Sequence, residues 1–181
     1  LKKGDRIALM MPNVLQYPIA LFASLRAGLI VVNVNPLYTA RELEHQLKDS
    51  GATTIVIFEN SAHILDSVRE NLSLKNIIVT GIGDMLGFPK AQLVNFVLKY
   101  VKKMVPPYKL TGAIKFQELL IYGEKEKFKK PTMNNEDIAF LQYTGGTTGV
   151  SKGAILTHRN IISNFQQAKV WIENGIFEGQ E

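Results

Sequence analysis

Tyr143-Thr144-Gly145-Gly146-Thr147-Thr148-Gly149-Val150-Ser151-Lys152-Gly153 lies between two apolar runs, Ile138-Ala139-Phe140-Leu141 before it and Ala154-Ile155-Leu156 after it. The pattern is strand, polar loop, strand. Glycines let backbone N–H groups come close to an anion, threonine and serine hydroxyls add donors, and a lysine neutralises charge. This is what a phosphate-gripping loop requires. It is not a Walker A loop: Lys152 is followed by Gly153 rather than by a hydroxyl residue, and an apolar run arrives too soon for the helix that such a loop feeds. A kinase glycine-rich loop also joins two strands, but it needs G-x-G-x-x-G and a lysine on the following strand. A flexible Gly-Thr connector is the plain alternative. A connector, however, has no need of Thr144, Thr147 and Thr148 beside Lys152 between buried strands.

Upstream of the loop the chain reads as repeated strand–helix units. Arg6–Met11 is a buried strand stopped by Pro12-Asn13, and Leu15, Ile19, Phe22, Ala23 and Arg26 follow with helical spacing up to Gly28. Leu29–Val32 is a second strand. Thr39-Ala40-Arg41-Glu42 is a capping box opening a helix that ends near Gly51. Thr53–Phe58 is a third strand, Ser61 is the expected cap of the next helix, and Asn76–Val79 is a fourth strand. Strand starts near 6, 29, 53 and 76 are 23 or 24 residues apart. That interval suits βα units, so the expected fold is α/β with a parallel sheet flanked by helices. The strand–loop–strand unit is placed in a second sheet of the same domain. Downstream, Thr157 or His158 opens a helix expected to bury Ile161, Ile162, Phe165, Ala168 and Ile172.

Gly81-Ile82-Gly83-Asp84-Met85-Leu86-Gly87 tests as a dinucleotide fingerprint and fails, because leucine stands where the third glycine belongs. It reads as a turn. Residues 85–117 differ in character, with six lysines (90, 99, 102, 103, 109 and 115) and no acid. At helical spacing Leu93, Val94, Val97, Leu98, Val101, Met104 and Val105 share one face, and Gln92, Asn95, Lys99, Lys102 and Lys103 the other. Two readings stand. One is a surface helix with its apolar side on the core. The other is contact with an anionic membrane surface, with Lys99, Lys102 and Lys103 as candidate contacts.

Composition sets wider bounds. The chain has 181 residues, 46% hydrophobic and 20% charged, with a net charge of +5. It has no cysteine, which excludes disulfides, thiol catalysis and cysteine-ligated zinc. His45, His63 and His158 show no metal-ligand spacing. The basic excess is local to residues 85–117, so no nucleic-acid partner is expected. No run reaches the roughly 18 apolar residues of a spanning helix.

The loop resembles the AMP-binding signature of the adenylate-forming superfamily, which includes acyl-CoA synthetases, luciferases and peptide-synthetase adenylation domains. Leu156-Thr157-His158-Arg159-Asn160 resembles the segment that follows it there. Gly4–Asn13 and Ala27–Tyr38 resemble the early part of acyl-CoA synthetases. Gly83-Asp84-Met85-Leu86 and Lys99–Pro106 resemble the bacterial long-chain fatty acid–CoA ligases in particular. Many relatives have serine where Gly145 stands and proline where Ser151 stands.

The resemblance implies a fold, a reaction and a site. Residues 1–181 would be an incomplete N-terminal AMP-binding domain: βα units over 1–84, a basic amphipathic insertion over 85–130, and strand, phosphate loop, strand and helix over 131–181. A fatty acid would be activated by ATP, with Mg²⁺, to an acyl-adenylate and then transferred to coenzyme A. Thr144, Gly145, Gly146, Thr147, Thr148, Gly149 and Lys152 would hold the β- and γ-phosphates and the leaving pyrophosphate. Tyr143, Ser151 and Gly153 would support them, and Thr144 would help order the metal. The family's magnesium-binding glutamate, ribose-binding aspartate and C-terminal lysine have no counterpart in this sequence, so no catalytic residue is assigned and the fragment alone is expected to be inactive. The complete enzyme is expected in the cytoplasm, peripheral on the inner face of the membrane, with oligomers possible. An adenylating enzyme for another carboxylate and a non-catalytic membrane-docking α/β module remain the alternatives.

Overall fold

The computed structural model describes residues 1–144 and 151–173. Strands β1 (Arg6–Met10), β2 (Ile30–Asn33), β3 (Thr54–Phe58), β4 (Asn76–Thr80), β5 (Ile114–Lys115), β6 (Ile138–Thr144) and β7 (Lys152–Thr157) form one seven-stranded sheet. Its order is β5-β4-β3-β1-β2-β6-β7. Every pair is parallel except β6–β7. The strand–loop–strand unit therefore does not start a second sheet. Val31, Val32 and Asn33 of β2 pair with Phe140, Leu141 and Gln142, which makes β6 a continuation of the first sheet.

Helices α1 (Gln16–Arg26), α2 (Ala40–Ser50), α3 (Ala62–Val68), α4 (Lys90–Phe96), α5 (Phe116–Glu124) and α6 (His158–Glu173) complete the described chain, and a π-helical turn over Val97–Val101 extends α4. Alternate residues of the central strands feed two cores. Ala8, Met10, Val32, Ile55, Ile57, Ile77 and Val79 pack with Leu43 and Leu47 of α2 and Leu65 and Val68 of α3. Ile7, Leu9, Val31, Val56 and Ile78 pack with Ala20 of α1 and Phe116 of α5. Burial on both faces is why these strands read as unbroken apolar runs rather than alternating ones.

Local signals explain the helix ends. The Thr39 side chain accepts the Glu42 N–H and the Glu42 carboxylate accepts the Thr39 N–H at 2.8 Å, completing the capping box. Gly51 ends α2 in the left-handed region at φ +62. Ser61 does not cap α3. A short 3₁₀ turn over Glu59–Ser61 precedes the helix, and the Ser61 hydroxyl donates to the Pro36 carbonyl instead.

The expected buried face of α6 is not met, and α4 departs from the reading that sets its apolar side on the core. Among the described residues of α6 none is buried; Phe165 is 71% exposed and Trp171 83%. In α4 and its extension, Asn95 and Lys99 of the polar side make the inward contacts, while Gln92 is exposed. Asn95 Oδ1 accepts the Gly83 N–H at 2.8 Å and its Nδ2 donates to Asp84 Oδ1 at 2.8 Å. Lys99 pairs with Glu59 at 2.8 Å. Leu93, Phe96, Tyr100, Val101 and Met104 are exposed, with Val94, Val97 and Leu98 half-buried. The surface below α4 explains the inversion. It consists of the 81–84 turn and a glutamate, which offer an N–H donor and carboxylates rather than apolar area. The two-residue β5 was not legible as a strand.

Candidate functional site

Tyr143 and Thr144 stand at the carboxyl end of β6, where ligands of parallel α/β sheets are usually held. The antiparallel register sets Tyr143 opposite Gly153 and Thr144 opposite Lys152. Thr144 and Lys152 are both exposed and face each other at the mouth of the loop. Ser151 precedes β7 and is half-buried. Gly145, Gly146, Thr147, Thr148 and Gly149 lie outside the described residues. One hydroxyl and one ammonium at the mouth can donate to a polyphosphate and offset part of its charge.

Tyr143 anchors this mouth. It is buried, and burial first, then the neighbouring Asp49 carboxylate, holds its hydroxyl pKa above the ordinary tyrosine value. It therefore stays a donor, and it donates to Asp49 Oδ2 at 2.5 Å. Its ring closes against Gly153, where a Cβ would stand 3.0 Å from two ring carbons. A side chain at 153 would press on the Tyr143 ring, which would have to shift by a few tenths of an ångström to admit it.

A polar chain beside this mouth was missed by sequence reasoning. Tyr17 of α1 donates to Asn33 Oδ1 at 2.9 Å, and Asn33 Nδ2 donates to Gln142 Oε1 at 3.0 Å. Gln46 of α2 donates to the Asn33 carbonyl at 2.8 Å. The chain joins the carboxyl ends of β2 and β6 to the helices on both faces. Its sequence signal was weak: Asn33 sits at a strand end, and Gln46 breaks the apolar side of α2.

Downstream, Asn160 Oδ1 accepts the Thr157 N–H and hydroxyl, each at 2.9 Å, and the Asn160 N–H returns to Thr157 Oγ1 at 3.3 Å. This reciprocal pair caps α6, which is a physical task for the Thr157-His158-Arg159-Asn160 stretch.

Lys99, Lys102 and Lys103 are not part of this cluster. They belong to the opposite edge of the sheet, near a cavity of about 600 Å³ lined by Glu59, Asp84, Asn95, Lys99, Tyr108 and Lys115 among others. Lys99 is held by Glu59, which also accepts the Tyr108 hydroxyl at 3.0 Å. Lys102 and Lys103 are exposed. Among the described residues no group of three or more histidine or carboxylate side chains could hold a metal ion. Thr144 can offer at most one oxygen ligand, so Mg²⁺ here would depend on phosphate oxygens, a common mode for that ion. Among the described residues no helix is long and apolar enough to cross a membrane.

Comparison with known proteins gives consistent results. The sequence profile of the AMP-binding enzymes matches residues 1–180. A long-chain-fatty-acid–CoA ligase of Salmonella typhimurium is 58% identical over 181 residues, covering 100% of this chain and 32% of the relative. One from Haemophilus influenzae is 62% identical over 172 residues, covering 95% and 30%. The chain thus spans about a third of the length of these relatives. Among solved structures, a long-chain-fatty-acid–CoA ligase from Archaeoglobus fulgidus matches with a TM-score of 0.65 and 29% identity over 94% of this chain and 28% of that one. An anthranilate–CoA ligase in complex with anthranoyl-AMP matches with a TM-score of 0.71 at 22% identity over 92% and 27%, a likeness of fold.

Proposed function

Because the chain belongs to the AMP-binding enzyme family, we propose that it is the phosphate-gripping part of a long-chain fatty acid–CoA ligase. In that reaction a fatty acid carboxylate oxygen attacks the α-phosphorus of ATP. The bond to the bridging oxygen breaks and pyrophosphate leaves. The coenzyme A thiolate then attacks the acyl carbon, and AMP carries away the bonding pair. This chain's task is to bind and neutralise the β- and γ-phosphates, in the ground state and as charge accumulates on the departing pyrophosphate. Thr144 and Lys152 would do so from the mouth of the loop, with Gly145, Gly146, Thr147, Thr148 and Gly149 between them. When bound, Mg²⁺ would screen the triphosphate charge, and Thr144 would help to order it.

The observation that carries this reading is Thr144 and Lys152 paired across the loop at the carboxyl end of a parallel sheet. Relatives at 58% and 62% identity favour a long-chain acid over another carboxylate. Lys152→Ala in the full-length protein should cut pyrophosphate release by about 10²-fold or more. Unchanged release would overturn the assignment. The 181-residue chain by itself should form no acyl-adenylate.

A second reading concerns the opposite edge. The outward side of α4 exposes apolar groups, and Lys102 and Lys103 are exposed just beyond its π-helical extension, together the composition of a region lying on an anionic bilayer. On this reading the ligase would lie peripherally on the cytoplasmic face of the membrane. Apolar side chains, rather than Lys99, would make the deepest contact. Co-sedimentation of the full-length protein with phosphatidylglycerol vesicles, and its loss in Lys102→Glu/Lys103→Glu, tests it. Equal binding by the variant would refute the reading.

A further inference from the structure

We propose that Asp49 is a positioning residue for the phosphate grip, acting through Tyr143. The inference rests on the ligase reading above and adds a residue to its machinery. Asp49 lies in the last turn of α2, where a carboxylate is disfavoured by the negative end of the helix dipole. It therefore adds nothing to that helix electrostatically. What it does is accept the hydroxyl of Tyr143 across 94 positions of sequence.

The platform under Asp49 is fixed. Helix α2 is capped at both ends, and Leu43 and Leu47 bury it in the core. Arg6 donates to the carbonyls of Ser50 and Gly51 at 3.2 and 3.1 Å, which ties the end of α2 to β1. From that platform the hydrogen bond sets the Tyr143 ring, the ring sets Gly153, and the next pair along the ladder is Thr144 with Lys152. A ring released from Asp49 can turn against Gly153 and change the separation of the hydroxyl and ammonium that meet the phosphates. Asp49 itself is exposed, so removing it opens no cavity. Its effect should fall on the grip and not on the fold.

The test uses the full-length protein with Asp49→Ala, Asp49→Asn and Tyr143→Phe. Steady-state kinetics with ATP and fatty acid varied separately are joined to MgATP calorimetry and thermal unfolding. Loss of one charge-assisted hydrogen bond corresponds to about tenfold weaker MgATP binding and a matching rise in KM for ATP. KM for the fatty acid should stay the same and Tm should move by less than about 3 °C. Asp49→Asn, whose carbonyl accepts the same bond, should restore most of the loss, and Tyr143→Phe should reproduce it. A lowered Tm with unchanged ATP parameters in Asp49→Ala would show a merely structural role and overturn the proposal, as would an asparagine variant no better than alanine. If the parent protein forms no acyl-adenylate from any fatty acid, the ligase reading fails by itself, and calorimetry still decides whether Asp49 sets nucleotide affinity.

Discussion

Helix α2 puts Leu43 and Leu47 against the sheet and leaves Arg41, Glu42 and Lys48 in water. Helix α4 and its extension differ, with Asn95 and Lys99 making the inward polar contacts while Leu93, Phe96 and Tyr100 are exposed. Both sequences are amphipathic at the same period. The difference lies in what each helix lands on. Beneath α2 are Ala8, Val32, Ile55 and Ile57, an apolar surface with no donors to satisfy. Beneath α4 are the Gly83 N–H, the Asp84 carboxylate and Glu59, groups that cost free energy if they are covered without partners. Periodicity states that a helix has two faces. The receiving surface decides which of them is the inner one.

The comparison breaks most directly at Leu43, which has no exposed surface. Leu43→Ala should destabilise the protein by about 3 kcal/mol in denaturant unfolding, from lost burial and a residual cavity. The counterpart in α4 is a polar residue. Asn95→Ala leaves the Gly83 N–H and Asp84 Oδ1 without their partner and should cost about 2 kcal/mol. Asn95→Leu should be no better, because the site needs a donor and an acceptor and not apolar area. If leucine there proved stabilising, the receiving surface would not explain the inversion. Thr39→Ala removes half of the capping box of α2 and should cost about 1 kcal/mol, seen as faster hydrogen exchange in the first turn.

How much was legible follows from the same contrast. The β1–β4 units were readable because fully buried parallel strands repeat as apolar runs at a steady interval, and because Thr39, Glu42 and Gly51 carry their own stop and start chemistry. The strand–loop–strand unit was readable because a polar glycine–threonine stretch stands between two apolar runs. Three things were not. The inner face of α4 depends on Gly83, Asp84 and Glu59, the last 36 positions before Asn95 in sequence. Ser61 had two possible acceptor or donor partners, and the Pro36 carbonyl won. The apolar side of α6 was read as a core face, although among the described residues none of that helix is buried. The Asp49–Tyr143 bond joins positions that no local pattern links.

The smallest stability effect separates the two helices most cleanly. Leu93 is 64% exposed and Phe96 56%, so serine at both positions removes little buried area. An exposed substitution of this kind usually changes stability by no more than about 0.5 kcal/mol, and the loss of the Phe96–Tyr100 ring contact at 5.1 Å adds little beyond that. The same two changes made at Leu43 and Leu47 of α2 would be severe. Yet Leu93→Ser/Phe96→Ser should reduce partition onto phosphatidylglycerol vesicles, since transfer of exposed apolar groups into the bilayer interface supplies part of the binding. A double variant with wild-type melting and weakened vesicle binding would mean that α4 keeps its apolar side outward for a partner. A double variant that unfolds readily would mean that this side is covered in the full-length protein, and that α4, like α2, is held by apolar contact after all.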